Sequence, residues 1–70
     1  MPDHRPLPTA EQIEAAAARL RPLERAVFDL AAQGHLSNGA IARRLGIRRP
    51  TAERLLARAL RKLDRALDRL

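Results

Sequence analysis

Apolar residues recur at helical spacing in four segments of the chain, and proline, glycine or polar residues separate these segments. Side chains three or four positions apart lie on one face of an α-helix, so each segment predicts an amphipathic helix. The first helix should open at Thr9, which can form a capping box with Gln12, and should end near Pro22. The second should run from about Pro22 to Gln33. The apolar positions behind these two predictions are Ile13, Ala16, Ala17, Leu20, Leu23, Ala26, Val27, Leu30 and Ala31.

A short turn at Gly46 joins the third and fourth predicted helices. Ser37 is the expected N-cap of the third helix, because its hydroxyl can accept a hydrogen bond from a first-turn N–H. Gly46 can adopt the left-handed conformation that ends a helix, and Pro50 suits the first turn of the next one. The fourth helix should then reach Leu70. Two helices joined in this way form either a helix-turn-helix, whose second helix can enter the DNA major groove, or an αα-hairpin that only packs.

The fourth predicted helix has one apolar and one basic face when it is plotted at about 100° per residue. Its basic side carries Arg54, Arg58, Arg61 and Arg65, and an acidic margin carries Glu53, Asp64 and Asp68. We expect Arg61 to pair with Asp64 and Arg65 to pair with Asp68, each three residues further along the helix. On the apolar side, coiled-coil spacing predicts a dimer or partner interface, because the first helix offers few large side chains to cover it. The leucines of this predicted interface are Leu60, Leu63, Leu67 and Leu70.

The composition favours a single small all-α domain. The chain has 70 residues, of which 46% are hydrophobic, and Phe28 is its one aromatic residue. Leucine and alanine supply most apolar positions, which favours helix over strand. We therefore expect a small bundle of four helices over residues 9–70, with a helix-turn-helix and a long C-terminal recognition helix, after a flexible tail at residues 1–8. Without cysteine or an apolar run long enough to span a bilayer, a soluble cytoplasmic protein is expected.

The charge is divided unevenly between the two halves of the chain. Residues 1–35 carry four arginines and five acidic residues, a net charge of −1. Residues 36–70 carry ten basic and three acidic residues, a net charge of +7. The excess that gives the whole chain its charge of +6 therefore lies in the half that holds the predicted helix-turn-helix. Such an asymmetry indicates contact with nucleic acid.

The candidates for contact with double-stranded DNA are Arg44, Arg48, Arg49, Thr51, Arg54 and Arg58. Arg48 and Arg49 precede the reading helix, where phosphates can meet its N-terminus. Arg54, one turn further on, is best placed to contact the edge of a guanine, because the paired N–H donors of its guanidinium match the O6 and N7 acceptors. Thr51 and Arg58 should contact phosphates, which position a protein without specifying the sequence. The alternative for each arginine is a solvated helix face.

Catalytic and metal-binding chemistry find no comparable support in the sequence. His4 lies in the proline-rich tail and His35 in a loop, and Ser37 already has a capping role. The chain has no glycine loop for phosphate and no pair of carboxylates with an evident cleft. We expect no enzyme activity, no cofactor and no metal.

Four segments together resemble region 4, the C-terminal DNA-binding region of bacterial sigma factors. They are residues 20–28 (LRPLERAVF), 36–37 (LS), 41–47 (IARRLGI) and 51–63 (TAERLLARALRKL). LuxR-type regulators share much of this pattern, but the interval from Phe28 to Ser37 matches the sigma version. The chain departs from the family where Arg48 stands in place of the usual capping serine and where Glu53 stands at a position that is often lysine.

The resemblance implies a helical domain that reads an upstream promoter element and contacts RNA polymerase. It covers about residues 10–67 and includes nothing similar to the polymerase-binding core domain of a sigma factor. The alternative is a protein-interaction module with little DNA binding. Such a module would be a stand-alone decoy that binds an anti-sigma-like partner, or a homodimerising regulator that pairs through its leucines.

Overall fold

The computed structural model describes residues 7–69, and this part of the chain folds into four α-helices without a β-strand. The helices are α1 (Ala10–Ala17), α2 (Pro22–Ala32), α3 (Asn38–Leu45) and α4 (Arg49–Leu67). The longest is α4, with 19 residues, and each of the other three helices packs against it. The predicted all-α bundle is confirmed. No helix in the described range is long and apolar enough to cross a membrane.

The helix ends differ from the predicted ends by a few residues. α1 ends at Ala17 instead of near Pro22, because the backbone N–H groups of Arg19 and Leu20 bond three residues back and tighten the chain into a turn. α2 ends at Ala32, and α4 runs from Arg49 to Leu67. The predicted tail, apart from its last two residues, and Leu70 of the predicted interface lie outside the described residues.

The predicted capping box at the start of α1 is confirmed. The Thr9 hydroxyl accepts a hydrogen bond from the Gln12 backbone N–H at 3.1 Å, and the Thr9 N–H donates to Gln12 Oε1 at 2.8 Å. Further along, Arg25 ties α1 to α2, because its Nη2 lies 2.6 Å from Glu14 Oε1 while its Nε bonds Asp29. A helix of only eight residues is marginal alone, so these contacts and its packing on α4 hold α1 in place.

The core lies along one face of α4. Ala16, Ala17 and Leu20 pack against Ala59 and Leu63 of α4. Nearer the start of α4, a second set of almost fully buried residues joins α2, α3 and α4: Val27, Ile41, Ala42 and Ala52. Alanine is frequent at these contacts, so the helix backbones can approach one another closely although few large side chains are buried.

Two apolar residues that were predicted on packed faces are exposed instead. Ile13 is 37% exposed and Leu23 is 41% exposed. Ile13 precedes the alanine contact of α1 by one turn and is not part of the cluster that packs against α4. At the start of α2 the buried position belongs to Glu24, and its neighbour Leu23 therefore points outward.

Leu63 of the predicted partner interface belongs to the core. It is only 6% exposed and contacts the α1 cluster, so the expectation that α1 leaves the whole leucine stripe uncovered is wrong for this residue. The physical reason is that Ala16 and Ala17 allow α1 to lie close to α4. Leu67 packs partly against the same cluster, whereas Leu60 is 50% exposed.

Truncating Leu63 and Leu60 of α4 in separate variants should distinguish a core leucine from a surface leucine by the loss of stability. We expect Leu63→Ala to lower the free energy of unfolding by about 2–5 kcal/mol, because it opens a cavity under α1. The matched variant Leu60→Ala removes the same atoms from a half-exposed site and should cost about 1 kcal/mol or less. Urea unfolding followed by circular dichroism measures both. Equal losses would show that Leu63 is not a core residue.

A buried carboxylate joins the start of α2 to the C-terminal part of α4. The Glu24 side chain is 1% exposed, and its two oxygens accept hydrogen bonds from Lys62 Nζ at 2.7 and 2.9 Å. Oε1 also accepts a bond from the backbone N–H of Arg21 at 2.9 Å. The bonds from Lys62 and then from Arg21 hold the pKa of Glu24 below its ordinary value of 4.5, although burial acts in the opposite direction.

This pair should make the fold sensitive to acid. Because the pKa of Glu24 is lower in the folded state, its contribution is fully present above about pH 4.5 and is lost as the pH falls through the folded pKa. Lys62→Met removes the main cause of the depression, so acid unfolding should move to higher pH. Arg61→Met, an exposed charge loss on the same helix, is the control and should leave the acid midpoint in place. Identical acid profiles for the two variants would contradict the role of the pair.

Candidate nucleic-acid interface

The turn between α3 and α4 fixes the geometry of the candidate interface. Ser37 caps α3, with its hydroxyl accepting from the Ala40 N–H at 3.1 Å. Gly46 has φ +67°, and the Ile47 N–H reaches back to the Ala42 carbonyl at 3.0 Å, which is the Schellman arrangement. Residues 46–48 then lead directly into α4. The sequence therefore encodes a helix-turn-helix with a three-residue turn, in which the glycine conformation sets the angle between the helices.

The structure brings the predicted contact residues to one end and one side of this motif. Arg44 lies in the last turn of α3, and Arg48 and Arg49 stand where α4 begins. Arg54 and Arg58 follow four residues apart on the outer face of α4. All five arginines are exposed, and Thr51 is half-buried in the first turn of α4. The side chains that could meet an anionic partner are thus presented to solvent.

The N-terminus of α4 has a proline in its first turn but lacks two other features that stabilise a helix start. The Arg48 side chain makes no capping hydrogen bond, and the first turn contains no acidic residue. Two cations instead stand at the positive end of the helix dipole, where an anion would be favourable. Uncapped N–H groups beside two arginines form a site that suits a phosphate.

Arg49 is held in place by a carboxylate of its own helix. Its Nε donates to Glu53 Oε1 at 3.1 Å, one helical turn further on. No ion pair holds the other site arginines in the described part of the chain, so Arg49 is the one with a side-chain partner within its own helix.

The sequence reasoning missed two further exposed cations of this surface, Arg43 and Arg61. Arg43 stands beside Arg44 in the last turn of α3. Arg61 was expected to pair with Asp64, but no ion pair joins the two among residues 7–69. The signal for Arg61 was present in the spacing, because positions 54, 58 and 61 fall on one helical face. The same range contains no group of three His, Cys, Asp or Glu residues that could hold a metal ion.

Comparison with protein families bears directly on this motif. The family model described as sigma-70, region 4 matches residues 10–63, which include α1 to α3 and most of α4. The chain belongs to the sigma-70 region 4 family. The resemblance drawn from the sequence is therefore confirmed, and this is a DNA-binding domain of the helix-turn-helix type that is associated with transcription. Comparisons with curated proteins and with solved structures gave no match.

The uncapped start of α4 in this region 4 domain leads to a prediction that combines stability and binding. Arg48→Ser supplies a capping hydroxyl and removes a cation from the positive helix end, so we expect the free energy of unfolding to rise by about 1 kcal/mol. Binding to duplex DNA should weaken, and the slope of log K against log[salt] should become shallower by about 0.9.

Arg48→Ala is the matched control, because it removes the same charge without adding a cap. Arg48→Ala should change the salt slope as much as Arg48→Ser does, but it should raise the free energy of unfolding by less. A serine variant that binds DNA as the unmodified domain does, with the same salt slope, would show that Arg48 contacts no phosphate.

Proposed function

We propose that this region 4 domain is a sequence-specific DNA-binding module that places α4 in the major groove and reads a promoter element. The observation that carries the proposal is the joint placement of exposed arginines on the turn, the start and the outer face of α4. The membership of the sigma-70 region 4 family supports DNA as the partner. The concentration of positive charge in residues 36–70 supports a polyanion independently of the family.

The dimensions of α4 suit this arrangement. The rise from Arg54 to Arg61 is about 10 Å at 1.5 Å per residue, which is close to the roughly 12 Å width of the major groove. Arg54 then faces the base edges, while Arg58 is directed toward a phosphate strand. Arg44, Arg48 and Thr51 contribute further backbone contacts around the helix start. In this proposal phosphates position the domain, and the middle of the exposed face reads the sequence.

A salt titration tests the proposal most directly. If the exposed arginines of this surface other than Arg49 and Arg54 make about five phosphate contacts, log K for a random-sequence duplex should fall against log[salt] with a slope near −4 to −5. Fluorescence anisotropy between about 50 and 200 mM salt covers the range in which such contacts lose most of their affinity. If no duplex binds at the lowest salt concentration, the domain is not a DNA reader, and the interaction module becomes the better description.

The proposal extends to RNA polymerase as a protein partner, because region 4 domains connect promoter DNA to the polymerase. The support for this extension is the family match alone, and co-purification of the domain with polymerase on promoter DNA would test it.

Binding of an anti-sigma-like protein or a second copy through the leucines of α4 stays a prediction. Leu63 is committed to the core, and Leu60 is the stripe residue with substantial exposure in the described range. One exposed leucine is ordinary for a soluble protein. The arginine surface therefore favours DNA as the main partner.

A further inference from the structure

The ion pair between Arg49 and Glu53 lies on the part of α4 that the proposed function directs toward DNA. The Arg49 side chain is 70% exposed and the Glu53 side chain is 46% exposed, so neither is buried by the fold. The bond uses Arg49 Nε and Glu53 Oε1, 3.1 Å apart. Within residues 7–69, Glu53 Oε2 accepts no hydrogen bond, so this oxygen keeps a free acceptor on a side chain that is 46% exposed.

This pair has the less favourable of the two orders for an ion pair four residues apart on a helix. An acidic residue stabilises a helix best when it precedes a basic residue by four positions, and here the order is reversed. Arg49 also stands at the positive end of the α4 dipole, where a cation is unfavourable. The position of Arg49 therefore runs against the helix dipole, and a DNA phosphate near the start of α4 would offset that cost.

A carboxylate on a DNA-facing helix has a specific chemical consequence. Glutamate carries only acceptors when it is ionised, and it repels phosphates as well as the acceptor edges of guanine and thymine. Its favourable partner in the major groove is the N4 amino group of cytosine. The neighbouring Arg49 offsets part of the phosphate repulsion and holds the carboxylate in one direction, so the charge is oriented before DNA is bound.

We propose that Glu53 is a specificity-determining residue that selects a cytosine in the bound site, with Arg49 as its positioning residue. Glu53 Oε2 accepts a hydrogen bond from cytosine N4, and Arg49 restrains the rotamer through Oε1. The proposal rests on the DNA-binding function and assigns one base position within it.

The first experiment is selection of binding sites from a random duplex pool, carried out with the unmodified domain and with Glu53→Gln. Glutamine pairs with the N6 and N7 atoms of adenine, so the preference at one position should change from cytosine to adenine. In direct titrations, replacing that cytosine should weaken the unmodified domain about 5- to 150-fold, and Glu53→Ala should lose most of this discrimination.

Asp64→Asn provides the matched control for loss of an acidic charge. Asp64 is exposed in the same acidic margin of α4, and it follows Glu53 by about 16 Å along the helix axis, beyond the reach of the groove. This variant should bind random duplex more tightly, as Glu53→Gln also should, but should keep the cytosine preference. An equal change of base preference in Asp64→Asn would overturn the assignment, because the effect would then be one of net charge.

A double-mutant cycle tests the positioning role of Arg49. If Arg49 orients Glu53, the loss of cytosine discrimination in Arg49→Ala and in Glu53→Ala should not be additive, whereas Arg49→Lys should retain part of it. Thermal melts of the folded domain should coincide for Glu53→Gln and Asp64→Asn, because both sites are exposed.

The outcomes separate this inference from the proposed function. If neither the unmodified domain nor any variant binds duplex DNA at low salt, the proposed function is wrong, and the inference fails with it. If all proteins bind and select the same base at every position, DNA binding stands and the role of Glu53 is wrong. A change from cytosine to adenine confined to one position supports both.

Discussion

Packing on a single face of α4 is the constraint on which the rest of this domain depends. α1, α2 and α3 each contact α4, and although α2 and α3 also contact each other, both pack more extensively on α4. Ala52 and Ala59 are 1% and 0% exposed, so the other helices approach α4 closely at these positions. The opposite face carries the arginines of the candidate interface. One helix therefore serves as both the centre of the core and the carrier of the exposed arginines, and any rotation of α4 within the core would redirect these arginines.

The pair formed by Glu24 and Lys62 restricts that rotation. A carboxylate that is 1% exposed must keep its hydrogen-bond partners, because leaving a buried charge unpaired is expensive. Lys62 bonds Glu24 of α2. Leu63, the next residue of α4, packs against α1. The two adjacent residues thus bind α4 to different helices in different directions. This arrangement fixes the angular position of Arg61, the next residue toward the N-terminus, on the outer face.

The sequence predicted the helices and their caps better than it predicted which side chains are buried. Thr9, Ser37 and Gly46 act through backbone geometry within a few residues, so their roles can be read locally. The burial of Leu63 and the exposure of Ile13 depend on how closely α1 approaches α4, which no local pattern contains. Glu24 was missed because its partner lies 38 residues away. Arginines that crowd one helix face were predictable from spacing, whereas the bond from Arg49 to Glu53 required the side-chain geometry.

The start of α4 shows how stability and recognition oppose each other in this domain. A serine at position 48 and an acidic residue in the first turn would stabilise the helix, and the chain instead has Arg48 and Arg49 there. In the proposed complex, phosphates on a DNA strand would supply the negative charge and the acceptors that the helix start lacks. Binding would therefore stabilise the first turn of α4 as well as the complex. By contrast, Ser37 at the start of α3 makes an ordinary cap, so the departure from the local rules is confined to the helix start that the proposal places against DNA.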